Sequence, residues 1–363
     1  MTNKGHNKTV FVGVSGGVDS SVSAALLQDQ GYHVVGVFMR TWQPDWIECT
    51  WQDERRDAMR VCAHLNIPFV ELDLEKEYKE GVADYMIREY RAGRTPNPDV
   101  MCNREVKFGG FLKWALEKGA DYVATGHYVD RAVDDSGVVT MLRGNDPQKD
   151  QTYFLWTLEQ SQLKHILFPV GSMPKKEVRK LAKKYNLPTA VKKDSQGICF
   201  IGDIDMKDFL NHYIDETPGD VINKSGDVIG SHKGSLFYTI SERHGFTIHA
   251  SHKGVNDSPY YVVAKDIEKN TITVSQNPEK DTRLTDTFSL VDVVDNKNIL
   301  QKGDIIEAQI RYRGSVKNIT FLEIDHDTKT AKIQFDDIDA TIAPGQSVVF
   351  YKGSECLGGG ILA

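Results

Sequence analysis

The sequence predicts an α/β fold, a parallel-sheet domain followed by antiparallel β-structure, and three observations carry that expectation. β-branched runs alternate with helical patterns over the first half of the chain. A glycine loop sits where the first run meets the first helix. Beyond about Gly202 the texture changes to short alternating runs separated by turn pairs. Thr9 to Val14 (TVFVGV) reads as a strand, Ser15-Gly16-Gly17 as a loop, and Asp19 to Gln30 as a helix with Val22, Ala25 and Leu26 at helical spacing. The alternation continues through a strand at His33 to Phe38, a helix over Asp53 to Leu65 and a strand at Ile67 to Asp73. A longer helix through Tyr90, a helix over Glu105 to Lys118 and a buried strand at Tyr122 to Ala124 follow. Strands joined by helices of this length form parallel sheets with right-handed crossovers, and such sheets bind ligands at the carboxyl ends of their strands.

After His127 the pattern changes. YVDRAV and VVTMLR flank DDSG as a hairpin, and Ser161 to Tyr185 reads as a helical stretch. The runs DVINKSGDVIG, PYYVVAKDIEKNTITVS, DIIEAQIRYRGSVKNITFLEI, KTAKIQFDD and QSVVFYKGSECLGGGIL predict antiparallel, barrel-like structure, with a boundary near Asn277 to Asp286.

A chain of 363 residues has room for two or three domains, and its 40% hydrophobic content excludes disorder. Lys plus Arg number 44 against 51 Asp plus Glu, a net charge of −7, so the chain is no basic nucleic-acid coat. Arg143 to Asp194 nevertheless carries eleven Lys or Arg against five Asp or Glu. Taken alone, that stretch (KKEVRKLAKKY) reads as a solvated helix face. The opening apolar run is too short for a signal peptide and no long apolar run follows, so a cytoplasmic protein without a membrane span is expected. Five cysteines (Cys49, Cys62, Cys102, Cys199, Cys356) are too few and too odd for a disulfide framework, and fit a reducing compartment.

The loop Gly13-Val14-Ser15-Gly16-Gly17-Val18-Asp19-Ser20 is built to receive an anion. Its glycines let backbone N–H groups approach, the helix start adds partial positive charge, and Ser15 and Ser20 add donors. It lacks the Gly-Lys-Ser/Thr ending of a Walker loop and does not match G-x-G-x-x-G. S-G-G-x-D-S before a helix instead resembles the signature of the PP-loop ATP pyrophosphatases, which cleave ATP between the α and β phosphates and leave AMP on a substrate oxygen.

Two cysteines stand in chemically suggestive places. In Gly93-Arg94-Thr95-Pro96-Asn97-Pro98-Asp99-Val100-Met101-Cys102-Asn103-Arg104, Asp99 reads as a helix N-cap. Cys102 would then lie in the first turn, where the helix dipole and Arg104 favour a thiolate. A small apolar residue at a helix start is the rival reading. Cys199, in Asp194-Ser195-Gln196-Gly197-Ile198-Cys199-Phe200, reads equally well as a core thiol. Cys62 lies in a helical run as a core residue, and Cys49 and Cys356 carry no assignable role.

R-T-P-N-P-D-x-x-C-N with Lys107-Phe108, A-T-G-H-Y (Ala124 to Tyr128), K-D-Q-T-Y-F-L (Lys149 to Leu155), D-S-Q-G-I-C-F (Asp194 to Phe200) and P-G-Q (Pro344 to Gln346) recur in order along the chain. Together they resemble the bacterial tRNA-specific 2-thiouridylases, the MnmA/TrmU family of the PP-loop superfamily, over nearly the whole length. One departure is Tyr238-Thr239-Ile240-Ser241-Glu242-Arg243-His244-Gly245, where the family has Y-T-I-G-Q-R-x-G.

The resemblance implies a PP-loop (adenine nucleotide α-hydrolase-like) catalytic domain over 1–203, a small central domain over 204–281 and a C-terminal antiparallel β-barrel over 282–363. It implies a tRNA-uridine 2-sulfurtransferase acting on the wobble uridine, U34, of the tRNAs for glutamate, glutamine and lysine. ATP would bind along Gly13 to Ser20 with Met39 and Gly126, accompanied by Mg2+. Cys199 would carry a persulfide and Cys102 would be the nucleophile that resolves it, releasing sulfide or forming a Cys102–Cys199 disulfide. Asp99 would be the acid or base, with Asn97 and Pro98 beside it at the target base. His127, Lys149, Asp150, Gln151, Arg311, Tyr312 and Gln346 would meet tRNA, and the basic Arg143 to Asp194 stretch would face it. A cysteine desulfurase or relay protein would supply sulfur. Three alternatives stay open: a PP-loop enzyme that delivers nitrogen, a tRNA-binding protein whose ATP loop is regulatory, and an iron–sulfur cluster on Asp99, Cys102 and Cys199, although clusters more usually use further cysteines.

Overall fold

A computed structural model describes residues 7–47, 51–193, 199–200, 206–252, 258–278, 286–337 and 342–363. Strand β1 (Thr9–Gly13) is almost wholly buried and pairs in parallel with β2 (His33–Arg40), which pairs with β3 (Phe69–Asp73). On its other side β1 pairs with β4 (Tyr122–Ala124). The hairpin β5 (Val129–Val133) and β6 (Val139–Arg143) then leaves this sheet, and β7 (Ile166–Leu167) returns to it as an edge strand beside β4. The order β3-β2-β1-β4-β7 places the turnaround at β1 and β4, where the carboxyl ends of an open parallel sheet leave a crevice.

The expected continuous helix over Ser161 to Tyr185 is a correction. The chain forms a single turn at Gln160–Leu163, strand β7, and a separate helix at Lys175–Lys184. Phe168-Pro169 and Met173-Pro174 explain the break, because the residue before proline is driven out of the helical region and proline offers no N–H. Helix α1 (Val18–Asp29) packs on the Lys175–Lys184 helix through a core of Val18, Val22, Val178, Ala182 and Leu187.

From Pro98 to Glu117 the chain is helical throughout, but not uniformly α. Pro98–Met101 and Leu112–Glu117 are α-helical and Cys102–Phe111 between them is π-wound. The N-cap is Asn97, whose Oδ1 accepts from the N–H groups of Asp99 and Val100 at 3.1 and 3.2 Å. This corrects the reading of Asp99 as the cap. Pro98 takes the first helical position, where its fixed φ and missing N–H cost nothing, so the residue before it becomes the cap.

The central region forms a sheet of β8 (Gly219–Ile222), β9 (Val228–His232), β10 (Thr247–Ile248), β11 (Tyr261–Asp266) and β12 (Thr271–Ser275), in the order β10-β9-β8-β12-β11. The C-terminal strands β13 (Thr287–Asp295), β14 (Ile305–Gln309), β15 (Val316–Asp325), β16 (Thr330–Phe335), β17 (Ser347–Lys352) and β18 (Glu355–Leu362) close into a barrel, because β13 also pairs with β18. Its core includes Leu290, Ile319, Phe321, Ile333, Val348 and Phe350. The β5–β6 hairpin is stitched onto it, with Cys356 opposite Met141. The segment before Asn97 is held from two further directions: Thr95 N donates to the Pro344 carbonyl at 2.8 Å, and the Thr95 and Thr239 hydroxyls lie 3.2 Å apart. Barrel and central sheet thus converge on the loop that enters the Cys102 helix.

The family pattern's glycine at 241 has a geometric reason. Ser241 sits at φ +73°, a left-handed conformation that a side chain disfavours. Neighbouring Glu242 pairs with Lys207 and accepts from Thr239 N at 3.0 Å.

Candidate active site

The glycine loop leaves β1 and enters α1 at the sheet turnaround. Its N-cap, Gly17, supplies no side-chain acceptor, so the first-turn N–H groups remain free for an anion. Ser20 Oγ accepts from Ser15 N at 3.3 Å and donates to the Gly17 carbonyl at 3.2 Å, which draws the loop tight. Gly126, at the end of β4, presses against this turn: a Cβ there would lie 2.7 Å from Ser20 N and 2.8 Å from Asp19 C.

Gly13, Val14, Ser15, Gly17, Val18, Asp19, Ser20, Met39 and Gly126 all line one cavity of about 460 Å³. Gly16 does not. It turns away at φ +70°, and a Cβ on it would come within 2.6 Å of the Glu54 carbonyl on the helix Trp51–Leu65. Asp19 is already engaged, for its carboxylate receives Lys175 Nζ at 2.7 Å on both oxygens and the Tyr128 hydroxyl at 2.7 Å.

The far wall of the same cavity carries Asp99, Asn103, Lys107, Phe154, Cys199 and Phe200. Cys102 and Cys199, 97 residues apart in sequence, bring their sulfurs to 3.4 Å. Around Cys199 the backbone is pinned on both sides: its N–H donates to Asp99 Oδ1 at 3.2 Å, and its carbonyl accepts from the Tyr78 hydroxyl at 2.7 Å. The next carbonyl, of Phe200, accepts from Gln43 Nε2 at 3.1 Å. Residues 194–198, which precede Cys199 in its motif, lie outside the described residues.

The acidities of the two thiols run opposite to the sequence expectation. Cys102 is fully buried, and burial together with its contact to Cys199 pushes its thiol well above the ordinary value. Cys199 moves the other way, down to about 7: the Cys102 S–H donates to it and the Lys107 ammonium faces it, against the opposing effect of burial. Arg104, expected to favour a Cys102 thiolate, instead pairs with Glu105 and Asp292. Burial raises the Asp99 carboxyl, with the Cys199 N–H and Lys107 opposing.

His127 lines the cavity with its ring buried against Phe108 and Phe168, and Thr125 Oγ1 lies 2.7 Å from its Nδ1. Burial and nearby Lys107 hold it well below the usual histidine value, as a neutral ring. Lys149 and Gln151 line the cavity, and Gln151 Oε1 also accepts from Tyr128 N at 2.9 Å. Asp150 is buried and occupied by Gly144 N, Thr152 and Arg143. Arg311, Tyr312 and Gln346 meet Asn97 around a second cavity of about 170 Å³, and Tyr312 lines both cavities. Pro98 starts the helix beside it.

Sequence reasoning assigned no role to Lys107, Asn103 or Phe154. Asn103 shows what it could not supply: its Nδ2 donates to the Phe154 carbonyl at 3.1 Å, which fixes the amide orientation and leaves a buried Oδ1 with no partner at the cavity wall. On the basic stretch, Lys176, Lys180, Lys183 and Lys184 are exposed, whereas Lys175 turns inward to Asp19. Cys62 lies in the core beneath β2 and Cys356 in the barrel wall, and Cys49 lies outside the described residues. Among the described residues no group of three His, Cys, Asp or Glu side chains is set to hold a metal ion. Two touching thiols beside one carboxylate do not supply the thiolate set that iron–sulfur clusters use.

The family profile described as tRNA methyl transferase HUP domain matches residues 8–203, the companion PRC-barrel domain profile matches 207–276, and the aminomethyltransferase beta-barrel domain profile matches 290–362. The tRNA-specific 2-thiouridylase MnmA of Streptococcus agalactiae serotype III is 45% identical over 98% of this chain and 95% of its own length. The chain belongs to the MnmA family of tRNA-specific 2-thiouridylases. The MnmA of Bacillus velezensis is 45% identical over 100% of this chain and 96% of its own length. Among solved structures, the U34-tRNA thiolase NcsA from Methanococcus maripaludis with its 4Fe-4S cluster is 19% identical and covers 51% of this chain and 58% of that one, with a TM-score of 0.35. Among the described residues no helix is long and apolar enough to cross a membrane.

Proposed function

We propose that this member of the MnmA family replaces the C2 oxygen of a tRNA wobble uridine with sulfur, and that the uridine is U34 of the tRNAs for glutamate, glutamine and lysine. The observation that carries the reading is the one cavity in which the free helix start of the glycine loop faces Cys199, whose sulfur touches the buried Cys102 sulfur just behind the wall. A phosphate-binding loop alone serves many nucleotide enzymes; two thiols in contact across from it serve sulfur transfer. A nitrogen-delivering enzyme has no use for the second feature.

ATP binds with its phosphates on the loop and its adenosine toward Met39 and Gly126, its Mg2+ arriving with the triphosphate. The uracil O2 attacks the α-phosphorus, pyrophosphate leaves, and the N3 proton passes to Asp99. Burial favours proton acceptance by Asp99, since its carboxylate is already destabilised. The terminal sulfur of a Cys199 persulfide, loaded by a cysteine desulfurase or relay protein, attacks C2 and expels AMP. Cys102, its proton lost to solvent or a neighbouring base, attacks Cys199 Sγ. The S–S bond breaks toward the sulfur on C2, N3 takes back its proton, and a Cys102–Cys199 disulfide remains for an external dithiol to reduce. The 3.4 Å sulfur separation is that of a near-attack arrangement.

Asn97 and Pro98 line the entry to the target base, and His127, Lys149, Gln151, Arg311, Tyr312 and Gln346 meet the anticodon loop around it. Tyr312, open to both cavities, suits stacking on an unpaired base. Asp150 acts by holding Arg143 and Thr152 in place. The three domains divide the work as 1–203 for chemistry, 204–281 and 282–363 for framing the tRNA.

Nucleoside mass analysis of tRNA from cells depleted of the protein tests this. Loss of 2-thiouridine at the wobble position is expected, together with cognate-tRNA-dependent pyrophosphate release by the pure protein. Persistence of the modified base with no second thiolase present rejects it.

A further inference from the structure

Lys107 is a half-buried lysine that the reaction outlined above leaves without a task. Two features place it at the sulfur site. It lines the cavity beside Asp99 and Cys199, and its Nζ lies 5.6 Å from the centre of the Phe200 ring next to Cys199. The helix winding is what brings it there. Cys102 and Lys107 are five residues apart, a spacing that an α-helix spreads by about 140° around its axis. Cys102–Phe111 is π-wound instead, and i→i+5 hydrogen bonding brings residues at that spacing toward one face.

We propose that Lys107 is the fixed cation of the sulfur site, pairing with the Cys199 sulfur so that Cys199 rather than Cys102 is the anion that accepts and carries sulfane sulfur. The assignment rests on the thiolation reading for its purpose, but its electrostatics can be tested without tRNA or ATP.

The charge balance supports it. Burial drives a lysine toward neutrality, yet Cys199, Cys102 and Asp99 outweigh that and hold the Lys107 ammonium above its ordinary value. Among the described residues, the groups acting on Cys199 are Cys102 and Lys107 from the π-wound helix and Asp99 from the turn before it, with the Tyr78 hydroxyl on its carbonyl. Asp99 and the Tyr78 hydroxyl cannot stabilise an anion by charge, and Cys102 gives one S–H donor. Lys149, Lys193 and Arg313 line the same cavity, but among the described residues Lys107 is the cation whose charge bears on the Cys199 thiol.

The test is the pH profile of Cys199 alkylation by iodoacetamide, followed on the Cys199 peptide by mass spectrometry in the full chain, for wild type, Lys107→Met, Lys107→Gln and Lys107→Arg. Wild-type Cys199 is expected to titrate at about 7. The two neutral variants should titrate about one unit or more higher, which lowers the thiolate fraction at pH 7 from about one-half to about one-tenth and slows labelling about fivefold. Lys107→Arg should stay near wild type, because it keeps the charge. Sulfur loading from a persulfide donor should fall with the labelling rate. An unchanged Cys199 profile in Lys107→Gln overturns the proposal, as does a shift in Lys107→Arg equal to that in Lys107→Met. A rise in the ATP requirement with Cys199 unaltered also overturns it and moves Lys107 to the phosphates. Should Lys107→Met not fold, Lys107→Gln against Lys107→Arg decides. Retained thiolation in Cys199→Ser would remove the reading of the reaction while leaving the labelling shift intact, so the two failures are distinguishable.

Discussion

Replacing Lys175 with methionine separates the basic helix's structural work from its solvent-facing charge. Lys175 Nζ donates to both Asp19 oxygens at 2.7 Å with only 12% and 28% of the two side chains exposed. In Lys175→Met the Asp19 carboxylate keeps the Tyr128 hydroxyl alone, within the loop that must accept a triphosphate. Hydrogen bonds to charged groups contribute about 1.5–3 kcal/mol, and orphaning one partner of a partly buried pair adds desolvation cost, so a loss of about 2–3 kcal/mol is expected. Methionine keeps most of the stem's packing over the α1 contact, which isolates the charge. Urea unfolding with an unchanged m-value should report the loss, and a double-mutant cycle with Asp19→Asn should return most of it as coupling. Lys176→Met, one residue on and exposed, should leave stability near wild type while reducing the salt dependence of tRNA binding by about one counterion. Equal stability of Lys175→Met and Lys176→Met would refute the reasoning, as would a coupling near zero.

Further outcomes follow from the same geometry. Gly126→Ala places a methyl 2.7 Å from Ser20 N, so the start of α1 must shift; overpacking of this kind costs about 1–3 kcal/mol, and the ATP concentration for half-maximal pyrophosphate release should rise more than the maximal rate falls. Asp99→Asn should remove thiolation yet make the ligand-free protein more stable at neutral pH. Because the folded carboxyl binds its proton more tightly than the unfolded one, wild-type stability declines as pH rises through the folded pKa, and the gap between the two proteins should close in acid, below the unfolded value. Ser241→Gly relieves a left-handed backbone at φ +73° and should raise the melting temperature by a stability gain of about 1 kcal/mol.

The parallel sheet was legible because each of its long strands is a β-branched run bounded by loop residues, and the glycine loop was legible because its residue types state their chemistry. Ile166–Leu167 was not, since a two-residue edge strand has no period of its own and is flanked by helix-forming residues. The six-strand barrel was readable as antiparallel, but its extension by the β5–β6 hairpin depends on pairing Met141 with Cys356 across more than half the chain. At the site, the residue types around Cys102 were recognisable and their electrostatics were not. The lower pKa falls to Cys199, which accepts the Cys102 S–H and lies in the field of Lys107, and that arrangement depends on a π-wound helix no hydrophobic periodicity announces. Lys175 shows the same limit in reverse, since helical spacing alone places it beside Lys176 on the surface while the fold turns it to Asp19.

The proposed reaction stands on sulfur passing from a Cys199 persulfide to the uridine while Cys102 closes a disulfide with Cys199. Its most direct test is a single turnover of persulfide-loaded protein with ATP and cognate tRNA in the absence of reductant, quenched and analysed by mass for both nucleoside and thiol state. One Cys102–Cys199 disulfide per 2-thiouridine is the predicted result, with Cys199→Ser giving neither. Stoichiometric 2-thiouridine from the Cys199→Ser protein, or from wild type with both thiols still reduced, would contradict it.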